Sequence, residues 1–124
     1  MNLLLDTHAL LWWLTDEPME AEAKRRIADP DVLVALSAAS VWEIGVKRAI
    51  GKLRFEGSIV ALAESSGFEP LAVSWEHAER AGALPPHHRD PFDRMLIAQA
   101  QTEGLTIVTR DADFAAYDVS LLGC

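Results

Sequence analysis

Cysteine is almost missing from this 124-residue chain: Cys124 is the only one. No intramolecular disulfide can form, so packing alone must hold the fold, which suits a reducing cytosol. Long hydrophobic runs are missing too. Nothing reaches the roughly 18 apolar residues that a membrane span needs. The early leucines do not read as a signal peptide, because no Lys or Arg precedes Lys24, and Asp6 and His8 interrupt the run. Positive charge is scarce. Eleven Lys and Arg stand against 19 Asp and Glu, a formal net charge of −8. The basic footprint of a protein that grips phosphates with its surface is therefore lacking. There is no internal repeat, low-complexity tract or linker. What remains is one cytoplasmic domain over residues 1–124, with no membrane contact and enough apolar residues for a core.

The apolar residues that are present fall into short blocks. Leu3-Leu4-Leu5 has no polar alternation and suits a strand covered on both faces. Further strands are expected at Val32–Leu36, Glu69–Val73, Leu105–Val108 and Val119–Leu122, with Pro70 pushing the third to an edge. Helical stretches lie between them: Thr7–Leu14, Glu20–Ala28, a helix capped by Ser37 or Ser40 and stopped by Gly51, Ser58–Ser65, Trp75–Ala83, and a strong one from Asp90 to Glu103 ended by Gly104. Strands alternating with helices predict a three-layer α/β/α sandwich around a parallel sheet of four to five short strands.

The acids recur in one structural context. Asp6 follows the first strand, Glu43 lies early in the helix after the second, and Asp111 follows the fourth, with Asp113 two residues on. Right-handed crossovers bring all strand-to-helix loops of a parallel sheet to one edge. The helix that opens with Asp90-Pro91-Phe92-Asp93 starts on that same edge. Clustered carboxylates need raised pKa values or a cation. An all-oxygen set suits a hard ion such as Mg2+ or Mn2+, whose waters can attack a phosphodiester. Each acid also has a plainer role. Asp6 and Asp90 are good helix caps, Asp93 complements a helix dipole, Glu43 stands four residues before Lys47 as in a surface ion pair, and Asp111 and Asp113 suit a turn.

Four pieces of the chain resemble the PIN domain, and within it the VapC-like toxins of bacterial toxin–antitoxin pairs. They are Leu4-Leu5-Asp6-Thr7-His8, Ser40-Val41-Trp42-Glu43-Ile44, the run from His88 to Ala100, and Ile107-Val108-Thr109-Arg110-Asp111-Ala112-Asp113-Phe114. The resemblance implies a metal-dependent endoribonuclease, acting as a homodimer and leaving a 5′-phosphate. It places the acidic site on Asp6, Glu43, Asp93 and Asp111, with Thr7 and Thr109 at nearby hydroxyl positions and Asp90 as a further candidate. The partner it implies is an antitoxin whose tail covers the site, where an acidic pocket would accept an arginine.

Lys47, Arg48, Lys52 and Arg54 are the densest basic stretch, joined by Arg89 and Arg94. Lys47, Arg48 and Arg94 are the candidates for steering an RNA backbone, against the plainer reading of a solvated helix end. His87 and His88 follow two prolines and are candidates for proton transfer. Adjacent Trp12 and Trp13 cannot share a helix face, so one of them is expected at a protein interface. Two other functions fit the pattern: a catalytically silent PIN-like binding module, and a receiver-type signalling domain. A receiver places a lysine after its last strand, and here no lysine follows Lys52.

Overall fold

Leu3–Leu5 form β1, the centre of the sheet, and all three leucines are fully buried. The computed structural model describes residues 1–124. Around β1 lie β2 (Val34–Ser37), β3 (Glu69–Leu71), β4 (Thr106–Thr109) and β5 (Leu121–Gly123), all parallel, in the order β3-β2-β1-β4-β5. Successive strand residues point to opposite faces and feed two separate cores. Leu3, Leu5, Val34, Leu36 and Val108 face α1 (Thr7–Leu14), α2 (Ala21–Ala28), α3 (Ala38–Ala49) and α4 (Ile59–Ser65). Leu4, Ala35 and Ile107 face Leu96, Ile97 and Ala100 of α6 (Pro91–Glu103), with Phe114 and Tyr117 closing that side. Helix α5 (Trp75–Ala83) packs on α6. The three-layer sandwich expected from the sequence is the one found.

Strand order also decides between relatives of this architecture. In a receiver-type sheet β1 lies between β2 and β3. Here β1 lies between β2 and β4, and β3 is the outer strand, which removes the receiver reading. The direction of winding reverses at the β1/β4 boundary. That is the crevice where open α/β sheets hold ligands.

Several strand boundaries moved, each for a local reason. Val32 was expected in β2, but its N–H bonds to Asp29 O inside a turn that Asp29 also caps with its side chain. Leu105 was expected in β4. Gly104 ends α6 in the left-handed conformation (φ 68°), and Leu105 N–H returns to Ala100 O at 2.9 Å, so the strand begins one residue later. Val119 N–H turns back to Tyr117 O, which delays β5 to Leu121. Pro70 sits in an edge strand, as a residue without a backbone donor should.

A candidate metal centre at the carboxyl end of the sheet

Asp6 is the first residue beyond β1. Its N–H still bonds to Val108 O of β4, while its side chain accepts the Ala9 N–H at 2.7 Å and caps α1. The cap, worth about 1 kcal/mol, engages only one carboxylate oxygen, so capping and site roles coexist. Burial pushes the Asp6 carboxyl above its ordinary range, and the Thr109 hydroxyl opposes that. Thr109, the last residue of β4, also accepts the Asp111 N–H at 3.0 Å. Asp111 in turn accepts the Asp113 N–H at 2.9 Å and caps the 3-10 turn Ala112–Ala116.

Helix α3 begins directly at the end of β2, capped by Ser37 accepting from Ala39 N–H at 3.0 Å. This places Glu43 in the second turn, only 3% exposed. One of its oxygens accepts the Thr7 hydroxyl at 2.5 Å, and the other pairs with Lys47 Nζ at 2.6 Å. The Glu43–Lys47 pair is thus no surface pair: its carboxylate is buried, as the apolar neighbours Val41, Trp42, Ile44 and Val46 lead one to expect. Glu43 raises the Lys47 ammonium pKa through that hydrogen bond, against the opposing effect of burial.

Asp90 caps α6, accepting from Phe92 and Asp93 N–H at 2.8 and 3.2 Å. Asp93, one turn in, points toward the other acids. Burial is the main cause that pushes its carboxyl up to about 7, the negative charge of Asp90 adds to this, and His88 works against it. A carboxyl raised this far by burial, with like charges beside it, is a mark of functional sites. Asp6, Thr7, His8, Glu43, Lys47, Asp90, Asp93, Asp111 and Phe114 line one narrow cleft of about 70 Å³. Four separate elements converge there, at the β1/β4 boundary.

Other side chains landed elsewhere. The Arg48 guanidinium donates to Phe55 O and Gly57 O, tying the end of α3 to the following loop. Arg94 turns away from the cleft. Its two terminal nitrogens donate to Ala81 O, Leu84 O, Pro85 O and His88 O, at 2.9 to 3.2 Å. Both arginines proposed from sequence as backbone-steering groups are spent on carbonyls. His87 is exposed and rests against Tyr117. Trp12 stacks on His8 and lies under the Arg110 guanidinium, 3.8 Å from the ring centre, while Trp13 packs on Phe68. Both are half-buried, so neither stands out as the interface residue. The exposed tryptophans are Trp42 and Trp75.

His88 received little weight in the sequence, yet it reaches the site. Its Nε2 lies 3.0 Å from Asp93 Oδ2 and 3.7 Å from Asp111 Oδ2. The nearer contact is off-line, and the nitrogen has no hydrogen-bond partner although it is buried. The tightest set of metal-type donor atoms is His88, Asp111 and Asp113, all within 4.8 Å of one another. The four expected acids share a wider cleft. The sequence signal that marks His88 is the Pro85-Pro86 pair, which stiffens the approach to it.

Three comparisons with known proteins bear on this arrangement. The PIN domain family model matches residues 3–120. No curated protein compared with the sequence matches it. Among solved structures, VapBC2 of Rickettsia felis bound to a promoter DNA fragment superposes with a TM-score of 0.76 at 16% identity, covering 100% of this chain and 99% of that one. DNA-bound VapBC of Salmonella typhimurium gives 0.71 at 18%, covering 99% and 98%. A toxin–antitoxin complex from Klebsiella pneumoniae gives 0.66 at 25% identity, covering 97% and 95%. With the acids gathered at the switch point and the family model spanning nearly the whole sequence, the chain belongs to the PIN domain family and is VapC-like in fold.

Proposed function

We propose that this protein is a metal-dependent endoribonuclease that cuts single-stranded RNA in the cytoplasm, the toxin of a toxin–antitoxin pair. The observation that carries the reading is the convergence of Asp6, Glu43, Asp93 and Asp111 on one cleft, from four elements distant in sequence. Membership of a nuclease family and likeness to toxin–antitoxin complexes support it. No helix is long and apolar enough to cross a membrane.

The residues fit a hard divalent cation. The donors are carboxylate oxygens, the chemistry that Mg2+ and Mn2+ prefer. Burial raises the Asp93 and Asp6 carboxyls, and the charge of neighbouring acids adds to it. Asp6, Asp93 and Asp111 would hold the ion, with Glu43 behind them and Asp90 and Asp113 at the margins. When bound, the ion supplies an activated water and offsets negative charge on the phosphodiester. The chain's own residues do the rest. The Thr7 hydroxyl fixes the rotamer of Glu43, and the Thr109 hydroxyl favours the ionised Asp6 carboxylate. The Lys47 ammonium stands at the cleft as a resident positive charge, able to meet a phosphate oxygen. Phe114 walls one side against water.

The partners in this reading are RNA, a homodimer mate and an antitoxin whose tail places an arginine among the acids. The test is cleavage of single-stranded RNA in Mg2+ or Mn2+ by wild type, Asp6→Asn and Asp93→Asn. Loss of at least 100-fold in both variants is expected. Equal activity in all three overturns the reading, and a wild type that binds RNA without cutting it identifies a silent binding module instead.

A further inference from the structure

The cleft acids of α3 and α6 each follow an aromatic residue. Trp42 precedes Glu43, and Phe92 precedes Asp93. One step along a helix turns the side chain by about 100°. With both acids in the cleft, the two rings come together on its flank, where α3 meets α6. Their centroids are 5.1 Å apart and their planes cross at 74°, edge to face. Phe92 is half-buried and braces Trp42, yet Trp42 stays 67% exposed. The other tryptophans offer no such shelf. Trp12 lies against His8 and the Arg110 guanidinium, and Trp13 packs on Phe68. Trp75 is exposed at the start of α5, away from the cleft residues.

Arg89 adds charge to the same rim. It stands between His88 and Asp90, it is exposed, and no hydrogen bond or ion pair holds its guanidinium. The other cations around the cleft are committed: Lys47 to Glu43, Arg94 to backbone carbonyls, Arg110 to Pro18 O and Cys124 O. The backbone on either side of Arg89 is tied down, since the His88 N–H donates to Tyr117 OH and Asp90 caps α6. A cleft of about 70 Å³ has no room for a base. A strand whose phosphate reaches the acids must therefore leave its bases on the rim. The net charge of −8 makes attraction to phosphates weak, and stacking, which needs no charge, is what remains to hold a single strand.

We propose that Trp42, braced by Phe92, stacks one base of a single-stranded RNA beside the phosphate to be cut, and that Arg89 holds an adjoining phosphate. The inference rests on the ribonuclease reading above and adds the surface that orients the substrate.

The test measures binding of a non-hydrolysable single-stranded RNA in Mg2+ by fluorescence anisotropy, with Mn2+ affinity by calorimetry as a check on the cleft. Trp42→Ala is expected to weaken RNA binding about 5- to 150-fold, Trp42→Phe to keep most of it, and both to bind Mn2+ like wild type. Arg89→Ala is expected to make the slope of log affinity against log NaCl shallower by about 0.7, and Arg89→Lys to restore it. A scan of single abasic positions with wild-type protein needs no variant to fold. One position is expected to cost as much as Trp42→Ala, and the variant to add nothing on that oligonucleotide. Wild-type affinity in Trp42→Ala, additive losses from variant and abasic site, a scan with no sensitive position, or an unchanged salt slope in Arg89→Ala would each overturn the proposal. So would sedimentation in which Trp42→Ala splits a dimer while each protomer keeps its RNA affinity. The patch, extended along α3 by exposed Val46 and Ile50, would then belong to a second copy of the chain. The outcome is separable from the ribonuclease reading. If wild type cuts RNA and Trp42→Ala binds and cuts it equally well, only the stacking proposal falls. If wild type binds RNA with this dependence on Trp42 but never cuts it, only the cleavage reading falls. If wild type neither binds nor cuts RNA, both fall.

Discussion

Asp93 carries the clearest electrostatic signature in the molecule. Its folded-state pKa of about 7 lies above the ordinary aspartate value of 3.8. For an acid raised in this way, the folded state binds the proton more tightly than the unfolded chain. Its contribution favours folding fully below pH 4 or so and is lost as pH climbs through about 7. In metal-free protein, Asp93→Asn should therefore match wild type in acid and become the more stable of the two as pH rises from about 4 to 7. Urea melts across that range will show a gap opening toward neutral pH, on the order of a few kcal/mol at most. Mg2+ should close the gap by stabilising only wild type, with release of protons below pH 7. Glu43 makes a different prediction. Removing it strands a buried Thr7 hydroxyl and the Lys47 ammonium, so Glu43→Ala should lose about 1–3 kcal/mol of stability in denaturant melts even without metal. Glu43 was legible as more than a surface ion pair because Val41, Trp42 and Ile44 surround it. The placement of His88 beside the acids was not, since it depends on contacts with Tyr117 and Arg94 that no local spacing encodes.

The loop between α5 and α6 and the start of α6 behave as one unit because of Arg94. A lysine there could not span four carbonyls, as it lacks the planar fork of guanidinium. Arg94→Lys should destabilise the protein by roughly 2 kcal/mol. Faster amide exchange should appear in residues 84–90, while β1 and β4 stay protected. The reason this unit escaped the sequence is physical: an arginine bound to backbone carbonyls leaves no mark on the residues that supply them. Strand ends were misplaced for a related reason. Asp29 and Gly104 impose turn geometry that takes Val32 and Leu105 out of strands their side chains would favour. The helices were placed well: Ser37, one of the two caps offered for α3, and Asp90 cap as expected, and Ser58 and Ser74 turn out to cap α4 and α5.

The net charge of −8 limits how the whole protein would meet the RNA of the proposed reaction. With Arg48 and Arg94 spent on carbonyls and Lys47 paired to Glu43, few cations are left to neutralise phosphates. Binding of a non-hydrolysable single-stranded RNA should depend on Mg2+ or Mn2+ and be abolished by chelation. At fixed divalent ion, a plot of log affinity against log NaCl should have a slope of only about −1 to −2, since each phosphate contact adds about −0.7. A steep slope measured by fluorescence anisotropy would show a basic surface that the fold does not present. Composition and motif together carried most of the architecture: β1 was readable because three leucines in a row, closed by Asp6 and followed by a helix, suit a doubly covered strand.

The pairing of Leu3 with Thr106 has a consequence for timing. Asp6 lies far ahead of Asp111 in order of synthesis, and only the docking of β4 beside β1 brings their oxygens together. A growing chain therefore carries these carboxylates apart, and the acidic cleft can assemble only once β4 has been made.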